Sequence, residues 1–198
     1  MPITITLCNL KGGTGKTTTA MLMATALANA GTSVVVLDAD PQGSATAWFD
    51  LADDQHPLPF SVEPANARVL TRPRSEDVVI IDCPPGGGNI ITAAIEVADL
   101  VVIPTCPSAI EVDRMWSTVE LAEAANVAYA VLLTSVQLGT NALEDLKQAL
   151  HESGTPCIPH VIPQRMDLKR AWGTTPQKFH GYTEATKAII ALGKECTQ

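Results

Sequence analysis

Lys11-Gly12-Gly13-Thr14-Gly15-Lys16-Thr17-Thr18 is the stretch of sequence that decides the fold. It follows an apolar, strand-like run at residues 3–8 and opens a helical pattern that begins near Lys16. A strand, a glycine loop and a helix in this order build a phosphate site, because glycines let successive backbone N–H groups face an anion and the helix N-terminus adds partial positive charge. We therefore expect this loop to bind nucleotide phosphates, with Lys16 at the β- and γ-phosphates and the Thr17 hydroxyl on Mg²⁺.

The first residue of the loop sets it apart from the common pattern G-x-x-x-x-G-K-[ST]. Leu10 stands where the first glycine would be, and Lys11 opens the loop. This lysine-first form resembles the deviant Walker A motif of the ParA/MinD family of ATPases. The resemblance implies that Lys11 reaches across a dimer interface to the nucleotide of the partner subunit. The alternative is a glycine-rich turn with two solvated lysines, which the strand, loop and helix context disfavours.

Length and composition fit one globular domain over residues 1–198, with 46% hydrophobic and 17% charged residues. Short apolar runs alternate with helical patterns, which predicts an α/β fold: a mostly parallel β-sheet flanked by helices on both faces, of the P-loop NTPase type. No apolar run approaches the ~20 residues of a membrane span and no signal peptide is evident, so we expect a cytoplasmic protein without stable membrane insertion. The predicted strands are residues 3–8, 34–37, 60–62, 78–81, 100–103, 129–133 and a proline-interrupted 157–162.

Acidic residues follow two of the predicted strands. The carboxyl ends of parallel strands meet at one edge of a sheet, where ligands bind. Asp82 ends an apolar run in the Walker B form, whose carboxylate holds Mg²⁺, usually through a water. By resemblance to the family, Asp40 orients the attacking water, whereas Asp38 supports the Mg²⁺ shell or the Asp40 loop, or else caps a helix. The predicted catalytic residues are Lys11, Lys16 and Asp40, and the predicted metal ligands are Thr17, Asp40 and Asp82.

Four segments in order, residues 11–18, 38–42, 82–86 and 104–108, resemble the ParA/MinD family, and short ParA-type ATPases above all. The resemblance implies an ATP-dependent sandwich homodimer with ATP and Mg²⁺ that binds DNA non-specifically and positions plasmid, chromosome or protein cargo. It also implies slow hydrolysis stimulated by a ParB-like partner, and association with the nucleoid. ATP is favoured over GTP because the sequence has no N-K-x-D run, and the resemblance places Gln164 and Arg165 beside the adenine.

The net charge of −8 is unevenly spread along the chain. Residues 165–198 carry a balance of +3, which leaves −11 on the other 164 residues. This balance allows a modest basic surface for DNA phosphates, with solvated surface charges as the alternative reading. The candidate DNA-binding residues are Lys169, Arg170, Lys178, Lys187 and Lys194.

Three rival functions use the same fold. A MinD-like membrane-associated ATPase would end in a basic amphipathic helix, but residues 185–194 have no aromatic anchor and only two lysines. An iron–sulfur carrier would need paired cysteines, and Cys83 and Cys106 belong to no C-x-x-C pair. A metabolic ligase would keep Lys16 and Thr17 but has no evident use for Lys11.

Overall fold

A sheet of parallel strands forms the centre of the protein. The computed structural model describes residues 2–52 and 56–197. Within these ranges the strands are β1 (Ile3–Leu7), β2 (Val34–Asp38), β3 (Ser61–Pro64), β4 (Val78–Asp82), β5 (Leu100–Thr105) and β6 (Tyr129–Leu133). Their order across the sheet is β3-β2-β4-β1-β5-β6, and each neighbouring pair is parallel. Every residue of β2, β4 and β5 is buried, as expected for strands covered on both faces.

Helices cover both faces of this sheet. The bounds are α1 (Lys16–Asn29), α2 (Ser44–Leu51), α3 (Ala67–Leu70), α4 (Asn89–Glu96), α5 (Ala109–Ala124), α6 (Asn141–Glu152), α7 (Met166–Arg170) and α8 (Tyr182–Cys196). Helices α1, α2 and α8 pack on one core, and α4, α5 and α6 pack on the other. Alternate strand residues separate in the same way: Val34 and Val36 join the first core, whereas Val35 and Leu37 join the second. The predicted α/β fold is confirmed.

Helix α8 packs closely against β1 on the α1 side of the sheet. A Cβ atom at Gly193 would lie 3.2 Å from side-chain atoms of both Ile3 and Ile5, so a larger residue would fit only if these side chains or the helix moved by a few tenths of an ångström. The fully buried Tyr182 places its hydroxyl 3.1 Å from the Thr19 hydroxyl and so joins α8 to α1. In the part of the chain that the structure describes, no helix combines the length and the apolar character needed to span a bilayer.

The predicted strand at residues 157–162 is wrong. The segment runs beside β6 but forms only isolated parallel bridges, at Cys157 with Val131 and at Pro163 with Val136. The backbone bonds that join it to β6 include those from Ile158 N to Val131 O (2.8 Å) and from Ile162 N to Leu133 O (2.8 Å). Pro159 and Pro163 have no N–H to donate, so a continuous ladder cannot form.

A second difference lies between β3 and β4, in a connection for which no element was predicted. The short helix α3 begins there, and the Asn66 side chain accepts hydrogen bonds from the backbone N–H groups of Arg68 (3.0 Å) and Val69 (3.2 Å). This is a local N-cap whose helix is too short to leave a periodic pattern in the sequence.

Candidate nucleotide-binding site

The loop between β1 and α1 presents open backbone at the carboxyl edge of the sheet. Gly13 and Gly15 have φ values of 83° and 90°, in the left-handed region that favours glycine. A Cβ atom at Gly13 would meet nothing within 4 Å, and one at Gly12 would meet only Pro85, at 3.6 Å. Both Gly12 and Gly13 are exposed. The loop therefore has room for a ligand directly against its main chain.

Hydrogen bonds from distant parts of the chain hold this loop in shape. The Thr134 hydroxyl, just after β6, donates to Thr14 O at 2.8 Å. Leu10 N donates to the Thr118 hydroxyl on α5 at 3.2 Å, and Leu10 O accepts from Gly86 N at 2.8 Å. The loop is thus fixed by α5, by the end of β6 and by the segment that follows β4, before any ligand arrives.

The two lysines of the loop have different surroundings. Lys16 is only 7% exposed, and its Nζ donates to the carbonyl oxygens of Asn9 and Lys11, both at 3.0 Å. Burial lowers the pKa of Lys16, and the nearby Asp82 carboxylate acts in the opposite direction. Lys11 is half-buried, and its backbone N–H donates to Asn9 Oδ1 at 2.9 Å. Asn9 was not among the predicted site residues, although a polar residue between an apolar strand and the loop is a usable signal.

Asp82 is a fully buried carboxylate at the end of β4. Among the described residues neither of its oxygens has a hydrogen-bond partner of good geometry, although the Thr17 hydroxyl is close enough to favour the charged form. The pKa of Asp82 is raised to about 7, mainly by burial. The negative charges of Asp38 and Asp40 act in the same direction, whereas the Thr17 hydroxyl and the charge of Lys16 oppose the rise. An unpaired buried carboxylate is costly, so Asp82 with the neighbouring Thr17 hydroxyl fits the oxygen ligand set that Mg²⁺ prefers.

The second acidic pair lies at the end of β2, next to β4 in the sheet. The Asp38 side chain accepts from the backbone N–H and the hydroxyl of Thr46, both at 2.8 Å, and from Asp40 N at 3.3 Å. Asp38 therefore caps the start of α2 and supports the Asp40 turn, two of the roles considered from the sequence. Asp40 is half-buried and accepts from Gln42 N at 2.9 Å. Its charge acts on both Asp82 and Lys16, so these side chains share one neighbourhood.

A small cavity of about 90 Å³ adjoins the loop on the α1 side. Gly15 and Thr18 form one wall, and Gln164, Arg165 and Lys169 line another part of it. The structure thus brings the two residues expected beside the adenine next to the phosphate loop, and it adds Lys169, which the sequence analysis considered only for DNA. The other lining residues are Thr134, Ser135, Ile162, Leu168 and Tyr182.

The five candidate DNA-binding residues extend along the protein and do not gather in one compact cluster. Lys169 and Arg170 lie on α7, near the loop, and Lys178 pairs with Asp167 at 3.1 Å. Lys187 and Lys194 are exposed on α8, where a separation of seven residues places them on one face. Lys194 lines a cavity with Ile3 at the opposite end of β1. These side chains therefore cover a long strip from one edge of the sheet to the other.

A loop of open N–H groups beside a buried, unpartnered carboxylate suits a polyphosphate accompanied by a divalent cation. This combination defines the class of P-loop nucleotide-binding proteins. The sequence model of the CobQ/CobB/MinD/ParA nucleotide binding domain matches residues 5–174. The chain belongs to this family.

Similar proteins support the assignment. The "Maintenance of carboxysome distribution protein A" of Halothiobacillus neapolitanus is 29% identical, over 85% of this chain and 82% of that protein. The protein of the same name from Gloeobacter kilaueensis is 34% identical, over 81% and 76%. Apo McdA from Cyanthece aligns with a TM-score of 0.80 at 22% identity, over 96% of this chain and 100% of the other. Cobyrinic acid a,c-diamide synthase from Mycobacterium smegmatis, with an ATP analog and magnesium bound, aligns with a TM-score of 0.79 at 21% identity, over 98% and 96%. These two structural likenesses show the fold.

Proposed function

We propose that this chain is a ParA-type positioning ATPase, in which two copies close face to face on a pair of ATP molecules and hydrolyse them to ADP and phosphate. The observation that carries the proposal is the presence of a second lysine, Lys11, at the start of the phosphate loop. Lys16 already supplies a buried ammonium group to the loop of its own subunit. Lys11 stands at the half-buried start of the same loop. In this proposal its side chain acts in the site of a second copy.

The residues of the site have distinct tasks in this proposal. Lys16 moves from the carbonyl oxygens that it now contacts to the β- and γ-phosphates, whose charge replaces those weaker acceptors. Thr17 and Asp82 would hold Mg²⁺, which would supply positive charge to the phosphate oxygens. Asp40 orients the attacking water and also lies beside the metal ligands. The partner's copy of Lys11 meets the charge that develops on the transferred group.

The remaining contacts to the nucleotide come from the loop and from the adjoining cavity. Backbone N–H groups of Gly12, Gly13 and Gly15 face the phosphates, with the Thr14 and Thr18 positions completing the loop. In this proposal Gln164 and Arg165 contact the adenine, and their place in the cavity next to Gly15 and Thr18 supports that role. The nucleotide therefore extends from the end of β4, across the loop, to the cavity.

The biological task proposed here is the positioning of cargo on DNA. The relatives named for carboxysome distribution favour a protein assembly as cargo, beside plasmid or chromosome. In this proposal the ATP dimer binds non-specific DNA on the nucleoid, and a ParB-like partner stimulates slow hydrolysis. The DNA surface is the basic strip described above, which a dimer presents twice. The strip consists of Lys169, Arg170, Lys178, Lys187 and Lys194.

The proposal is tested by the state of association of the protein with Mg²⁺ and a non-hydrolysable ATP analogue. Sedimentation velocity is expected to show a dimer for the native sequence and a monomer for Lys11→Ala, with the ATP affinity of the Lys11→Ala monomer changed less than about threefold. Lys147→Ala is the matched control, because Lys147 is an exposed lysine on α6 paired with Glu144 at 3.1 Å. A native protein that stays monomeric with the analogue would refute the proposal.

DNA binding needs a separate experiment. A gel-shift titration on random-sequence DNA with ATP is expected to show binding that weakens steeply as salt rises. Replacing Lys187 and Lys194 together with alanine is expected to lower the affinity and the salt dependence, whereas Lys147→Ala leaves both unchanged. Absence of binding at low salt would remove DNA from the proposal.

The MinD-like membrane alternative is less well supported by the C-terminal helix. Among the apolar residues of α8, Tyr182, Ala185 and Ile189 are buried in the core on the α1 side of the sheet, and three more are partly buried against it: Ala188, Ile190 and Leu192. A helix that uses its apolar face inside the protein has none to place in a lipid interface. Co-sedimentation with anionic vesicles in the presence of ATP would support the membrane alternative over the DNA proposal.

A further inference from the structure

Asn9 contacts both lysines of the phosphate loop and the neighbouring strand. It is fully buried between β1 and the loop. Its Oδ1 accepts from Lys11 N at 2.9 Å, and its backbone oxygen accepts from Lys16 Nζ at 3.0 Å. Its Nδ2 donates to Pro104 O at 2.9 Å and lies 3.4 Å from the Thr105 hydroxyl, both at the end of β5. The side chain therefore ties the first residue of the loop to the adjacent strand.

The peptide units of Lys11 are held from two sides in this arrangement. Asn9 holds the N–H of Lys11, and Lys16 Nζ holds its carbonyl oxygen at 3.0 Å. When Lys16 turns to the phosphates, as the proposed function requires, the contact to the carbonyl oxygen is lost. Among the described residues, the Asn9 side chain is then the one that still bonds to the Lys11 backbone. The direction in which Lys11 leaves the loop consequently depends most on Asn9 when ATP is bound.

We propose that Asn9 is a positioning residue for Lys11: its amide group fixes the Lys11 backbone against the end of β5, so that the lysine side chain points toward a second copy of this chain. The inference rests on the proposed function for the use of the lysine, and on the described contacts for its geometry. Asn9 touches neither the phosphates nor the metal in this account. It acts through Lys11.

A double-mutant cycle tests the inference. Dimerisation with Mg²⁺ and a non-hydrolysable ATP analogue is measured by sedimentation for the native protein, Asn9→Ala, Lys11→Ala and the double variant. Asn9→Ala is expected to weaken dimerisation at least roughly tenfold, the size of a lost hydrogen bond to a charged or buried group, and to change monomer ATP affinity much less. In the Lys11→Ala background the same change is expected to have no further effect, because residues that act as a unit are not additive. Additive effects of the two changes would overturn the inference.

Thr6→Val is the matched control for a general loss of stability. Thr6 is also fully buried on β1, and its hydroxyl donates to Ala94 O at 2.7 Å, away from the loop. Thr6→Val is expected to lower the melting temperature as Asn9→Ala does, yet to dimerise like the native protein. If Asn9→Ala does not fold, Asn9→Val serves in its place, because a valine fills more of the space left by the asparagine but offers no acceptor to the Lys11 N–H. Equal losses of dimerisation in Thr6→Val and the Asn9 variant would overturn the inference.

A second measurement separates this inference from the proposed function. Hydrogen exchange of the Lys11 backbone amide, followed by NMR in the nucleotide-free monomer, reports the contact with Asn9 directly. Exchange is expected to be at least roughly tenfold faster in the Asn9 variant than in Thr6→Val. If the native protein fails to dimerise but this acceleration is seen, the proposed function is wrong and the geometry of Asn9 stands. If the native protein dimerises and exchange is unchanged, the inference about Asn9 is wrong.

Discussion

Replacement of Asp82 by asparagine is expected to stabilise the protein when neither nucleotide nor Mg²⁺ is present. Burial raises the pKa of this carboxyl from 3.8 to about 7 in the folded protein. Because the folded pKa lies above the unfolded one, the protonated carboxyl favours the folded state. Its stability contribution is fully present below pH 3.8, declines as pH rises toward 7, and is lost above that value. Above pH 7 the buried charge thus opposes folding.

The size of the effect follows from the pKa values. A pKa difference of roughly three corresponds to about 4 kcal/mol of unfolding free energy. An asparagine in the same place is neutral but still polar, and its unpartnered amide retains a cost of about 1–3 kcal/mol. We therefore expect Asp82→Asn to be about 2 kcal/mol more stable than the native protein above pH 7, and to lose this advantage at pH 4.

Urea unfolding in a chelating buffer, repeated from pH 4 to pH 8, measures this difference. Asp77→Asn is the control at the other end of β4, because hydrogen bonds from Ser33 lower the pKa of Asp77 and it is exposed to solvent. Asp77 therefore favours folding above its unfolded pKa, and its replacement is expected to destabilise the protein in that range. An Asp82→Asn protein that is less stable than the native one above pH 7 would refute the reasoning about an unpaired buried charge.

Three further changes test other parts of the site and fold. Asp40→Asn is expected to leave ATP binding within about threefold and to reduce single-turnover hydrolysis at least roughly a hundredfold, since an amide orients and activates water poorly; unchanged hydrolysis would exclude Asp40 as the water-orienting residue. Thr134→Val removes the donor to Thr14 O and is expected to weaken ATP binding about fivefold in a fluorescence titration; unaltered affinity would show that the loop keeps its shape without this bond. Gly193→Ala places a methyl group 3.2 Å from the Ile5 side chain and is expected to cost about 1–3 kcal/mol in thermal unfolding, with ATP affinity retained by the folded protein; a full native melting temperature would show that α8 can move away from β1.

The parts of the fold that are determined by residues close together in the sequence could be predicted from the sequence. The glycine loop needs only a strand before it and a helix after it, and both leave local patterns. The strand at residues 157–162 was wrongly predicted because its apolar residues outweighed Pro159 within it and Pro163 directly after it. The missing N–H groups of these prolines matter only once a partner strand is known.

The parts of the site that were missed depend on contacts between distant residues. Thr134 and Thr14 are 120 positions apart, and Asn9 and Pro104 are 95 positions apart. No spacing rule connects such residues, and the sequence around Thr134 does not distinguish it from other threonines near strand ends. Asp38 shows the intermediate case: its position beside Asp40 was readable, but only the structure separates helix capping from metal support, through its two bonds to Thr46.

Leu10 occupies the place of the first glycine in the usual loop, and it gives the protein a shared pivot. One amide joins it to α5 through Thr118, and its carbonyl joins it to the turn behind the Walker B strand through Gly86. The main chain of Leu10 therefore links the phosphate loop at once to a helix that packs on the second core and to the backbone beyond Asp82. A substitution that moves either segment is expected to disturb the start of the loop as well.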